Sequence, residues 1–233
     1  MFERPHHQRI GRLLESLDGP LLRERQCLFG GGTAIALRHG EYRESVDVDF
    51  LVSAKEQYRE LRNAMTGIAG VRSIMRADAP ALEQIGELRA DQYGIRTTLN
   101  VQGVPIKLEI VLEGRIALET PSPRDVVCGV ATLSPLDMAT SKLLANSDRW
   151  PDDGVFSRDL IDLAMMRPAL PLLKAAAAKA AVAYGDAILR DLGRAMERMQ
   201  SRAGWLERCM QAMAMTAPPA LVWQRIRALR RVF

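Results

Sequence analysis

Two aspartates, Asp47 and Asp49, stand two residues apart in the stretch VDVDFLV, where every other residue is apolar. Successive strand residues point to opposite faces, so both carboxylates fall on one face, within roughly 7 Å of each other. Like charges that close repel unless water or a cation intervenes, and a divalent metal is the economical bridge. Magnesium favours carboxylate and phosphate oxygens, which makes it the metal this pair suits. Just upstream, Gly30, Gly31 and Gly32 follow the apolar CLF and lead into a compact helix, Thr33 to His39, that stops at Gly40. A strand, a glycine turn and a helix start present free backbone N–H groups and the positive end of a helix dipole, an arrangement suited to phosphate. Taken alone the glycines suit a tight turn equally well, since no Lys-Ser/Thr pair follows and the G-x-G-x-x-G spacing is missing. A third acid, Glu109 in IKLEIV, lies in an otherwise apolar strand beside Lys107. Its plain reading is a solvent-facing residue paired with Lys107; its chemical reading is a third carboxylate for two-metal phosphoryl chemistry.

The elements that must position these groups follow from periodicity. Ile10, Leu13, Leu14, Leu17 and Leu21 recur at helical spacing and predict an amphipathic first helix ending near Asp18 to Pro20 or a turn later. In the strand 46–52, Val46, Val48 and Phe50 alternate with the aspartates and Leu51. Tyr58, Leu61, Met65 and Ile68 mark a further helix, and Ile95–Val101 with Val104–Leu112 reads as two strands joined at Gln102-Gly103. A short strand is expected near Val126 to Val130. After Pro135 the chain turns helical, with helices at Leu136–Asn146 and Phe156–Met166 and an Ala-, Leu-, Met- and Arg-rich remainder. The expected architecture is α+β: a mixed sheet flanked by helices over residues 1–133, then a helical domain over 134–233.

In that second half, Lys142 and Arg149 share a helix face and could reach phosphate oxygens, while Asp159 and Asp162 could orient Lys142 or remain surface acids. Arg43 and Ser45 precede the aspartate strand and could brace its loop. The 233-residue chain carries a net charge of +4, but Ile188 to Phe233 holds nine Arg against Asp191, Glu197 and Glu207, so that the basic charge collects at this end. Such a bias suits a polyanion, though arginines on solvated helix faces are the commoner case. No run approaches the ~18 apolar residues of a membrane helix, and the first residues lack a secretory pattern, so the expected location is the cytoplasm. Cys27, Cys128 and Cys209 are scattered and read as buried thiols; His6, His7 and His39 show no metal spacing. Val222, Ile226, Leu229 and Phe233 form an apolar stripe among arginines, for which packing is the default reading.

These motifs carry a resemblance. GGGT followed by DVD and a later strand acid resembles the polymerase-β-type nucleotidyltransferase superfamily. The fuller string GGTAIALRHG with SVDVDF, and downstream SPLDMATSKLLANSDR and FSRDLIDL, resembles the AbiEii/AbiGii-type toxin nucleotidyltransferases over about Leu28 to Leu163. The third acid departs from the pattern in being Glu rather than Asp. The resemblance implies that Gly31, Gly32 and the Thr33 hydroxyl hold the β- and γ-phosphates of a nucleoside triphosphate, with Lys142 and Arg149 also binding the triphosphate. It implies that Asp47, Asp49 and Glu109 bind Mg2+ and perform the chemistry, that the acceptor is an RNA such as tRNA, and that a cognate antitoxin exists. Two other classes fit the same residues: a catalytically silent nucleotide- or partner-binding module, and a transferase acting on a small molecule such as an aminoglycoside-like compound.

Overall fold

The computed structural model describes residues 2–233. The chain divides into two compact units, one formed by Met1–Arg38 with Ser45–Ser134 and the other by His39–Glu44 with Pro135–Phe233.

The first unit opens with α1 (Pro5–Ser16), whose Pro5 suits the first helical turn and whose Ile10, Leu13 and Leu14 are fully buried. A short α2 (Gly19–Glu24), capped by the Asp18 side chain, leads to β1 (Leu28–Gly30) and directly into α3 (Gly31–Arg38). Then come β2 (Val48–Val52), α4 (Lys55–Thr66), β3 (Glu83–Ala90), β4 (Gly94–Val101), β5 (Val104–Leu112), β6 (Val126–Val127) and β7 (Val130–Ala131). Strands β1 to β5 form a mixed five-stranded sheet in the order β1-β2-β5-β4-β3, with β2 and β5 parallel and the other pairs antiparallel. Alternation drives the burial: Val48, Phe50 and Val52 of β2 and Ile106, Leu108 and Ile110 of β5 are buried, and Asp49 and Glu109 face the other way. The Phe29 and Phe50 rings meet at 5.7 Å across the β1–β2 pair.

The Gln102-Gly103 turn falls where expected, and both residues have positive φ (56° and 80°), the geometry that matches the twist of a two-residue hairpin. Three local expectations are corrected. Val46 is half exposed and β2 begins at Val48, so Asp47 immediately precedes the strand. The first helix ends at Ser16, and Leu17 instead makes a bridge with Met75. Helix α4 ends at Thr66, leaving Ile68 fully exposed.

The second unit is helical: α5 (Pro135–Arg149), α6 (Arg158–Met165), α7 (Leu170–Tyr184), α8 (Ala187–Ser201), α9 (Trp205–Ala212) and α10 (Pro219–Ala228). Helix α5 packs on α6, α7 and α8, and α10 packs on α6 and α9. The C-terminal stripe is core, as its period implies, except at its end: Val222, Ile226 and Leu229 are buried, and Phe233 is exposed. Cys27 and Cys209 are buried, whereas Cys128 is only partly so, because it turns the β6–β7 hairpin. No helix of the described residues is long and apolar enough to cross a membrane.

Candidate active site

The glycine turn opens directly onto an aspartate. Gly30 pairs with Asp49 in the β1–β2 register, and the next residue, Gly31, adopts a φ of +65°. A Cβ at Gly31 would stand 3.0 Å from Asp49 Cβ and 3.1 Å from its Cγ, and would overlap Oδ2. Position 31 therefore requires glycine twice over, for the left-handed backbone and for the room that the Asp49 carboxylate occupies. Since α3 starts at Gly31, the N–H groups of its first turn have no intrahelical acceptor and are available for hydrogen bonding at this point. Gly31→Ala is expected to destabilise the chain by roughly 1–2 kcal/mol, the cost of forcing a side chain into the left-handed region. Urea unfolding of the two proteins measures the effect.

On the other side of Asp49 lies Glu109, its direct partner in the parallel β2–β5 register. The β4–β5 register brings Arg96 opposite Glu109, and Arg96 Nε donates to Glu109 Oε1 at 2.6 Å while Lys107 Nζ donates to Oε2 at 2.8 Å. Burial pushes the Glu109 carboxyl up, but these two cations outweigh it and hold the group below the ordinary carboxylate range. Lys107 in turn is raised, first by its bond to Glu109 and then by the nearby charges of Asp47 and Asp49. One ammonium thus senses all three acids. The pairing of Arg96 with Glu109 was readable from the hairpin, because counting back from Gln102-Gly103 sets these residues opposite each other.

Asp47 is positioned from behind. The Thr33 hydroxyl, expected to face phosphate, is 1% exposed; it donates to the Asp47 carbonyl at 2.5 Å and hydrogen-bonds Ser45 Oγ at 2.7 Å. With its hydroxyl turned into the interior, Thr33 fixes the start of the aspartate strand. Buried His7 accepts the Ser45 backbone N–H at 3.1 Å, and His6 Nε2 hydrogen-bonds the Val46 carbonyl at 3.0 Å. Adjacent histidines of α1 therefore pin the two residues that precede Asp47. At the far end of α3, Arg38 pairs with Asp125 at 2.8 Å and donates to Thr132 Oγ1 at 2.7 Å, tying the helix to the β6–β7 hairpin.

The remaining predicted residues belong to the second unit. Lys142, 5% exposed, places Nζ 3.0 Å from Asp159 Oδ1 and 2.7 Å from Asp162 Oδ2. Arg149 is the last residue of α5 and makes a forked pair with Asp159 at 2.7 and 3.0 Å. Arg43 forks onto Asp162 at 2.7 and 3.0 Å, and the Tyr42 hydroxyl donates to the same carboxylate. Three cations thus share two buried carboxylates. The charges of Lys142 and Arg149, expected to reach phosphate, are already matched by Asp159 and Asp162, and the braces of Arg43 run to Asp162 and the Glu44 carbonyl. Asp159 and Asp162 are accordingly interior groups and not surface acids.

Among the described residues no group of three or more His, Cys, Asp or Glu is arranged to hold a metal. The donor types suit a hard cation: Asp47 and Asp49 are carboxylates of one short segment, and Glu109 lies in register with Asp49.

The chain belongs to the AbiEii family: the model described as "Nucleotidyl transferase AbiEii toxin, Type IV TA system" matches residues 12–229. It is similar in fold to the crystal structure of a candidate nucleotidyltransferase from H. pylori, with 15% identity, 97% of this chain and 94% of that chain covered, and a TM-score of 0.56. The crystal structure of JHP933 from Helicobacter pylori also matches, with 17% identity over 99% of this chain and 97% of that one, at a TM-score of 0.45. No curated protein sequence matches the chain. The expected family and α+β fold class are thus shown, and the chain is a member of a nucleotidyltransferase toxin family of a type IV toxin-antitoxin system.

Proposed function

We propose that this chain is a magnesium-dependent enzyme that transfers a nucleoside monophosphate from a nucleoside triphosphate to an RNA acceptor such as tRNA, as a toxin held in check by a cognate antitoxin. The observation that carries the chemistry is the fit of Gly31 against Asp49, which sets an N–H-rich turn and a carboxylate side by side. The N–H groups of Gly31 and Gly32 donate to β- and γ-phosphate oxygens and so orient the triphosphate. Asp47 and Asp49, with Glu109 beside them, would hold magnesium, which supplies charge neutralisation at the phosphates and a more acidic acceptor hydroxyl. With Arg96 and Lys107 donating to its two oxygens, Glu109 contributes a fixed negative charge, and the hydroxyl proton passes to solvent. The acceptor oxygen bonds to the α-phosphorus as the bond to the β-phosphate oxygen breaks, and pyrophosphate leaves. Thr33, Ser45, His6 and His7 position Asp47 throughout.

RNA as acceptor draws support from the arginine surplus after Ile188. A second reading, nucleotide binding without turnover, draws on one observation: both oxygens of Glu109 are taken by Arg96 and Lys107. Thermal-shift titration tests what both readings share. Magnesium with a nucleoside triphosphate is expected to raise the melting temperature of the wild type, by an amount set by ligand concentration over Kd, and to leave Asp47→Asn with Asp49→Asn unmoved. Equal shifts in the two proteins would contradict the proposed site.

A further inference from the structure

A concavity of about 520 Å³ lies in the second unit, between the end of α6 and helix α10. Three guanidinium groups line it, from Arg167, Arg225 and Arg231, and no carboxylate does. Pro168, Leu221 and Leu229 add apolar surface to its lining, and Gln224 adds an amide. Several other arginines of this unit are matched by acids: Arg198 and Arg202 by Asp153, Arg190 and Arg194 by Asp191, Arg149 by Asp159. The three in the concavity are not. Arg225 points an Nη1 donor at the Met165 sulfur at 3.1 Å, a poor acceptor, and Arg231 donates to the backbone carbonyls of Ala228 and Pro168. Arg167 is held at a φ of +51°, a backbone state uncommon outside glycine, at the point where the chain turns from α6 into the concavity.

Three positive charges with no carboxylate among them favour a bound anion. Guanidinium forks match phosphate oxygens, and a hollow of this size with some apolar lining admits the sugar or base attached to such a phosphate. We infer that this concavity binds a phosphodiester group of the RNA acceptor together with its adjoining nucleoside, as an anchoring site distinct from the triphosphate-binding turn. The inference rests on the reading that the acceptor is RNA. None of the three arginines touches reacting atoms; they are positioning residues that hold the acceptor.

The test measures binding of a fluorescent single-stranded RNA of about 20 nucleotides to the full chain over a series of salt concentrations. The Arg167→Gln, Arg225→Gln, Arg231→Gln variant is expected to bind roughly tenfold or more weakly and to lose about 0.7 from the slope of log affinity against log salt, the share of one phosphate on a single strand. A charge-matched variant, Arg190→Gln, Arg194→Gln, Arg208→Gln, is expected to stay within about threefold of the wild type. Replacing the first three by lysine keeps the charge and should restore most of the affinity, which separates a binding loss from a folding loss. Inorganic phosphate and a nucleoside monophosphate, added as competitors, should displace the RNA only at concentrations far above that of unlabelled RNA; displacement by either at equal concentration would overturn the assignment to a polynucleotide. Equal losses in the two charge-reduced variants, or none in the first, would overturn the site. If the first variant is still labelled with nucleotide on RNA as efficiently as the wild type, the inference fails and the transferase reading stands; if the wild type binds no RNA at all, both the acceptor class and this site fall, while nucleotide binding at Gly31 is measured separately.

Discussion

Asp162→Ala is expected to destabilise the chain by about 3–5 kcal/mol, the cost of stranding buried cations by removing their partner. Asp162 is fully buried and receives Arg43, Lys142 and the Tyr42 hydroxyl. Without it Arg43 loses both of its forked contacts to a carboxylate, and Lys142 retains only Asp159, which Arg149 already occupies. A loss of that size removes a large part of the roughly 5–15 kcal/mol that stabilises an ordinary domain, so the variant should unfold near or below physiological temperature. Replacing the cations together with the acid, as Arg43→Met, Lys142→Met, Asp162→Leu, should recover much of the loss, because no charge is then left unpaired. Urea unfolding of the wild type, the single variant and the triple variant makes the comparison. The same network predicts a pH dependence. Burial pushes the Asp162 carboxyl up, yet Arg43 and Lys142 outweigh burial and hold it well below its ordinary value of 3.8, and Asp159 is lowered in the same way. A carboxyl depressed in the folded state binds fewer protons there than in the unfolded chain, so its stabilisation is complete above the ordinary value and fades as pH falls below it. Urea midpoints should therefore hold between about pH 7 and 5 as far as these two groups are concerned and fall steeply below about pH 4. A midpoint that rises on acidification would contradict the assignment.

The second large effect belongs to Asp49. Asp49→Asn preserves shape and keeps the space beside Gly31 filled, yet removes the charge that faces the glycine turn and lies in register with Glu109. On the proposed reading Asp49 would hold a catalytic cation, and its loss forfeits several kcal/mol of charge stabilisation, each ~1.4 kcal/mol being a factor of ten in rate. Nucleotide transfer should fall by at least roughly 10³, with a urea midpoint close to that of the wild type. A fall in rate of less than tenfold would remove Asp49 from the chemistry.

Much of this site is legible in the chain itself. The glycine turn, the two aspartates and Glu109 are local features, and the hairpin through Gln102-Gly103 fixes a register that follows by counting. What resists reading depends on distant partners. The family resemblance makes Thr33 a phosphate ligand; only the return of the chain at Ser45 and Asp47 shows that its hydroxyl is occupied. Strand β3 escapes notice because its first residues are exposed on both faces and carry no alternation of apolar and polar side chains. Residues 39–44 look like a surface loop after Gly40, yet they belong to the helical unit, held there by Arg43 on Asp162 across 119 residues of sequence. Lys142 and Arg149 share a helix face, as their spacing implies, but spacing says nothing of the acids on α6 that claim their charge.

The most direct test of the transferase reading incubates the purified full chain with each α-labelled nucleoside triphosphate, magnesium, and total RNA or protein extract, beside a folded Asp47→Asn, Asp49→Asn variant. Label is expected on RNA with the wild type, together with released pyrophosphate, and on nothing with the variant. Transfer of label by the variant at the wild-type rate, or an absence of transfer by the wild type to RNA and to protein alike, would contradict it.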